Sequence, residues 1–275
     1  MEKLYTREWK PAGSPRAFLL LVHGYAEHVG RYARFAGQLS EAGIHVLGYD
    51  HRGHGLSPGK RGEVADFSGL VDDLEGQVEA AACAVGELPL FLMGHSMGGL
   101  VSANFLATRP HSLAGAIISS PLLAIPEGVP AWKLGAADWL GRWLPWLPVE
   151  NLDAAGISRD AAEVAAYRSD PLVYHGRINA RTGAALVSGI RATTAAVPRI
   201  TLPILVLHGT ADGLAPFAGG ERLYAGAGST DKTCLWEDGG YHELLNDLNR
   251  TAAETAIMAW LDSQVAGAGP ELPPR

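Results

Sequence analysis

Apolar runs of strand length alternate along this chain with stretches whose apolar positions recur at helical spacing. Leu4–Trp9 alternates apolar and polar and predicts an edge strand, followed by a turn over residues 11–15. Ala17–Val22 is continuously apolar, as a central parallel strand covered on both faces requires. A helix follows, with Tyr32, Phe35, Ala36 and Leu39 on one face and Gly43 at its end. Ile44–Tyr49 is the next strand, and a glycine-rich loop from Asp50 to Gly59 leaves it. Phe67, Leu70, Val71, Leu74, Val78 and Val85 mark a second helix, closed by Gly86. A strand begins at Leu90, a third helix stops before Pro110, and Gly115–Ser120 is a short buried strand.

The alternation then breaks. From 121 to 198 there is no strong strand, and Trp132, Trp139, Trp143 and Trp146 crowd together with Leu140, Leu144 and Leu147. The pattern returns with a strand from Pro203 to Gly209, a helix around Gly220–Tyr224, a strand at Lys232–Trp236 and a final helix ending near Leu261. Residues 264–275 are rich in Gly, Pro and Ala and are expected to fray. The expected fold is α/β: one domain over 1–275, a mostly parallel central sheet with helices on both faces, and a helical insertion over 121–198.

Composition narrows the partners. The net charge of −7, with no basic stripe, excludes nucleic acid. Cys83 and Cys234 are far apart, lack metal spacing, and read as small buried thiols that stay unpaired. With no signal-peptide core near the start, a cytoplasmic protein is expected. The tryptophan-rich stretch reads first as packed interior of the insertion, with Trp132, Trp139, Trp143 and Leu140 walling an acyl tunnel. Its second reading is a surface in transient contact with a membrane or micelle. Oligomeric state is not legible.

The candidate chemistry starts at Gly94-His95-Ser96-Met97-Gly98, a G-x-S-x-G between strand and helix. A serine on such a sharp turn is an exposed nucleophile, and it needs a base and an orienting acid. In an open parallel sheet these come from loops at the carboxyl ends of later strands. Asp212 and His242 follow the last two strands, in the order Ser, Asp, His. Asp238 also follows a strand, but it lies only four residues before His242 and reads as shaping that loop. Asp50 and Asp66 read as turn residues, and His23, His95 and His208, at strand ends, as structural. The backbone N–H groups of Tyr25 and Met97 are the expected oxyanion donors.

Three segments, His23-Gly24-Tyr25-Ala26-Glu27-His28-Val29-Gly30-Arg31-Tyr32, Asp50-His51-Arg52-Gly53-His54-Gly55-Leu56-Ser57 and Gly94–Gly99, resemble the monoacylglycerol lipase family of α/β-hydrolases. The resemblance spans about Leu4 to Leu261. It implies a serine lipase or esterase with no cofactor and no metal, acting on a small lipid or ester, with a helical cap over the site. It further implies that Glu27, Arg31, His95 and Tyr167 hold the glycerol end of the substrate. Read from the residues alone, Glu27 and Arg31 lie four apart and pair across a helix start, or merely pin the loop. Three other functions stay open: a broad carboxylesterase or lysophospholipase, an amidase or peptidase, and a non-catalytic binding protein.

Overall fold

The computed structural model describes residues 3–125 and 131–267; the tail over 268–275 and residues 126–130 of the insertion lie outside them. The chain runs β1 (Thr6–Trp9), β2 (Ala17–Val22), α1 (Ala33–Glu41), β3 (Ile44–Tyr49), α2 (Phe67–Val85), β4 (Leu90–His95), α3 (Met97–Thr108) and β5 (Gly115–Ser119). It then leaves the sheet for α4 (Ala131–Trp143), β6 (Pro148–Glu150), α5 (Ala161–Ser169), β7 (Ile178–Asn179) and α6 (Ala180–Ala196). It returns as β8 (Ile204–Gly209), α7 (Ala218–Gly226), β9 (Lys232–Glu237) and α8 (Arg250–Gly267).

The main sheet has the order β1-β3-β2-β4-β5-β8-β9, with β1 antiparallel to β3 and every other pair parallel. Strand order reverses between β2 and β4, so the loops leaving these two strands part and open a crevice at their carboxyl ends. Side chains alternate between two cores. Phe18, Leu20 and Val22 of β2 pack toward α2, α3 and α6, while Ala17, Leu19 and Leu21 pack toward α1 and α8. That two-sided burial is why the central strands read as unbroken apolar runs.

Local chemistry sets the helix ends. Asp66 accepts from the Gly69 N–H at 2.8 Å and caps α2, and Gly86 ends it at φ +61°. Asn179 caps α6 by accepting from the Thr182 N–H at 2.9 Å.

Four expectations are corrected. The insertion is not purely helical: β6 and β7 pair as a small antiparallel ribbon, too short to show in a hydrophobic pattern. Helix α8 continues to Gly267, since Gln264 and Val265 extend its helical register past Leu261. Cys83 is exposed, because its position on α2 falls on the face away from the sheet. Trp139 and Trp143 are 58 % and 60 % exposed, and Trp146 68 %, so they neither pack the insertion nor wall a tunnel. The reason is the close approach of α4 and α6. A Cβ on Gly141 would lie 2.7 Å from that of Ala184, so the Gly141 face meets α6 and the opposite face turns outward. The Trp132 side chain lies outside the described residues.

Candidate active site

Strand β4 ends at His95 and helix α3 begins at Met97, which leaves Ser96 to make the whole turn at φ +54°, ψ −118°. A non-glycine residue there is strained. The flanking glycines permit it: a Cβ on Gly94 would lie 2.6 Å from the Gly98 carbonyl oxygen, and one on Gly98 would lie 2.3 Å from that of Val22. Ser96 is also the N-cap of α3, a position where a serine hydroxyl ordinarily accepts from the first turn. Here it makes no such bond. Its Oγ lies 2.8 Å from His242 Nε2 instead, which leaves the first N–H groups of α3 available to an anion.

His242 completes the link. Its Nδ1–H donates to Asp212 Oδ2 at 2.7 Å. Asp212 sits in the loop after β8 and His242 in the loop after β9, neighbouring parallel strands. Oδ1 of Asp212 accepts from the Leu214 and Ala215 N–H groups at 2.8 and 2.9 Å. Burial pushes the Asp212 carboxyl up, but His242 and His208 outweigh it and hold it well below the usual carboxylate range. Burial pushes His242 down, and the Asp212 carboxylate more than offsets this, leaving the imidazole above its ordinary value. Asp238 is exposed and, among the described residues, accepts only from the Thr210 hydroxyl, at 3.3 Å, which places it with the loop.

The turn after β2 lies against the serine: a Cβ on Gly24 would stand 3.1 Å from Ser96 Cβ. Tyr25 follows, its hydroxyl donating to the Gly62 carbonyl at 2.8 Å, and Ala26 takes φ +68°. The Tyr174 N–H, from the insertion, donates to the Ala26 carbonyl at 2.7 Å and holds this turn in place. The turn that carries Tyr25 thus approaches Ser96 through Gly24, and Met97 follows Ser96 at the start of α3.

Glu27, Arg31, His95 and Tyr167 are brought together beside it. Glu27 accepts from the Gly24 N–H at 2.6 Å, the Tyr32 hydroxyl at 2.7 Å and Arg31 at 3.1 Å. Arg31 also forks onto Glu243, one arm at 2.8 Å, and its guanidinium lies 4.7 Å from the centre of the Tyr167 ring. The pairing read from the i, i+4 spacing is thus present, but it is part of a buried network of two carboxylates and one cation. Burial and the neighbouring Glu243 carboxylate raise the Glu27 carboxyl, against the pull of Arg31. The His95 ring lies 4.7 Å from that of His242, tilted by 53°, and burial holds its imidazole well below its ordinary value. The Tyr167 hydroxyl is buried and has no hydrogen-bond partner among the described residues.

Sequence reasoning missed Glu243, and it read His208 as a structural strand-end histidine without assigning its carboxylate partner. The signal for Glu243 was available: a carboxylate directly after His242 and before Leu244-Leu245 is a charge entering the core, and it needs a cation. His208 donates from Nε2 to Asp212 Oδ2 at 3.1 Å, and the two lie four apart in sequence, a pairing that the reading of His208 as structural left unassigned.

A nucleophile elbow at the switch point of a parallel sheet, joined to a histidine and a carboxylate, defines an α/β-hydrolase of the serine class. A family model described as serine aminopeptidase, S33, matches residues 13–249. The chain is 38 % identical to the monoglyceride lipase of Rattus norvegicus, over 97 % of its own length and 89 % of the relative's. It is 37 % identical to the monoacylglycerol lipase of Mycolicibacterium smegmatis, over 94 % and 92 %. The crystal structure of the Paleococcus ferrophilus monoacylglycerol lipase superposes with a TM-score of 0.86 at 34 % identity, covering 95 % of this chain and 99 % of that one. The chain belongs to the monoacylglycerol lipase family, and it is a serine ester hydrolase.

Proposed function

We propose that this enzyme cleaves monoacylglycerols to fatty acid and glycerol through an acyl-enzyme on Ser96. The observation that carries the reading is the unbroken chain from Ser96 through His242 to Asp212, at 2.8 and 2.7 Å. Ser96 Oγ attacks the ester carbonyl as His242 Nε2 takes its proton. The N–H groups of Tyr25 and Met97 face the oxyanion that develops. The proton on His242 passes to the departing glycerol, and the same histidine then draws a proton from the water that releases the acid.

Selectivity rests on the polar end. The unpartnered Tyr167 hydroxyl and the fixed Glu27–Arg31–Glu243 network offer hydrogen bonds to a glycerol's free hydroxyls. A second acyl chain would leave those groups unpaired, which costs affinity. Two carboxylates against one guanidinium also bias this end against an anionic head-group, which favours a glycerol ester over a lysophospholipid.

The segment over 121–198 acts as a cap within the single domain. It is bolted to the base loop by the Glu243 N–H on the Ile157 carbonyl, at 2.8 Å, and by Ser158 on the Asn246 carbonyl, at 2.7 Å. Its outward tryptophans suit transient contact with a membrane or micelle. No described helix is long and apolar enough to cross a membrane. A cytoplasmic location goes with this reading, in keeping with two free thiols.

The test is kcat/KM for mono-, di- and triesters of one fatty acid in one detergent, with the matched lysophospholipid beside them. The monoester is expected to be cleaved at least ~10-fold faster than the others, which is ~1.4 kcal/mol of discrimination. Equal rates on all of them would refute the selective polar end.

A further inference from the structure

Asp212 has a second histidine on it. His208 ends the apolar run of β8, is fully buried, and points Nε2 at two acceptors: Asp212 Oδ2 at 3.1 Å and the Ala215 carbonyl at 3.0 Å. Two acceptors on one ring nitrogen place the hydrogen there. Nδ1 on the other side of the ring has no hydrogen-bond partner among the described residues. The ring is held by its surroundings: a Cβ on Gly220 would lie 2.5 Å from Nδ1, and Phe217 meets the ring edge to face at 5.6 Å. Asp212 is thereby fully subscribed, with two backbone donors on Oδ1 and two imidazoles on Oδ2.

We propose that His208 is a positioning residue which, by sharing Oδ2 of Asp212 with His242, weakens the grip of that carboxylate on the base. The inference rests on the triad reading above and deepens it. Each donor that the oxygen accepts draws off part of its charge, so the Nδ1–H of His242 meets a less basic partner. The base then releases its proton at a lower pH than an undivided carboxylate would allow. The titratable and charged groups around His242 are Asp212 after β8 with His208 of β8 behind it, His95 on β4, Glu27 after β2 and Glu243 in its own loop, with Arg31 paired to both glutamates. Substituting His208 leaves all the others in place.

His208→Leu removes the donor, and His208→Gln retains one near the position of Nε2. The acid limb of kcat/KM is expected to move up by about half a pH unit or more in His208→Leu, roughly a threefold loss on the acid side, and to stay near wild type in His208→Gln. A limb that does not move in His208→Leu while the rate falls equally at every pH would overturn the proposal, as would a downward shift or a glutamine variant that follows the leucine one. Nitrogen-15 histidine NMR of the wild-type enzyme is independent of any variant's folding. It is expected to show His208 protonated at Nε2 with Nδ1 bare, and the opposite tautomer would overturn the proposal. Failure of the triad itself shows elsewhere, as turnover surviving Ser96→Ala.

Discussion

The Ser96 hydroxyl sits at an N-cap and does not cap, because its hydrogen-bonding capacity is committed to His242. On the proposed mechanism, removing it takes away the nucleophile and no packing, so Ser96→Ala is expected to lose at least ~10⁴-fold in kcat while thermal unfolding stays near wild type. Retention of a tenth of the wild-type esterase rate would exclude Ser96 from the role. The acid is tested by contrast. Asp212→Asn should cost about a thousandfold or more in kcat, since the amide no longer orients His242. Asp238→Asn, on the exposed loop, should stay within about twofold. The pH profile follows from the same carboxylate. Because Asp212 raises His242, the folded base is protonated at a higher pH than a free imidazole, and activity needs it neutral. The acid limb of kcat/KM should therefore lie above ~6.5, and a rate independent of pH between 5 and 9 would remove His242 from the mechanism.

At the scale of elements, the inserted segment does two things with two faces. Its inner side meets the catalytic loops: the Tyr174 N–H holds the Ala26 carbonyl, and Asp170 accepts from His28 Nε2 at 2.9 Å. Its outer side carries Trp139, Trp143 and Trp146, with Leu147 and Val149 also exposed. On the proposed reading, these exposed indoles are the face that touches a lipid surface. The double variant Trp139→Ser, Trp143→Ser is expected to lower association with phosphatidylcholine vesicles at least ~5-fold, since each indole removes on the order of 1 kcal/mol of interfacial contact. Hydrolysis of a soluble short-chain ester should stay within about twofold. Unchanged vesicle binding would mean that these tryptophans serve no lipid surface.

The whole molecule carries a sensitivity to acid in its buried histidines. His23, His51 and His54 cluster beside the turn after β2, with ring centroids 4.6 to 6.4 Å apart. Burial pushes His23 and His54 down to about 3, and it pushes His51 well down too. In the unfolded chain each titrates near ~6.5. The folded state thus binds fewer protons than the unfolded state between these values, and stability falls as pH drops through that window. The slope approaches on the order of 1 kcal/mol per histidine per pH unit, so Tm should fall steeply from pH 7 to 5. A Tm that is flat over that range would mean that the cluster is already charged in the folded protein.

The chain by itself determined the sheet and the positions of its chemistry. Buried parallel strands must be apolar on both faces, so β2, β4 and β8 announce themselves, and the turns after them follow the side-chain register. Ser96, Asp212 and His242 were legible for that reason: each lies where a strand ends. The Glu27–Arg31 pairing was legible as an i, i+4 spacing. Glu243 announced a need for a cation but not which one, since Arg31 lies 212 residues away; His208 has its carboxylate only four residues on, but whether the ring meets it depends on how the loop after β8 folds back. The outward face of α4 was decided by one close contact between Gly141 and α6, which no pattern of tryptophans and leucines encodes. Periodicity reports which residues share a face. Which way the face points, and what stands opposite a buried charge, depends on contacts between segments far apart in the chain, and these exist only once it has folded.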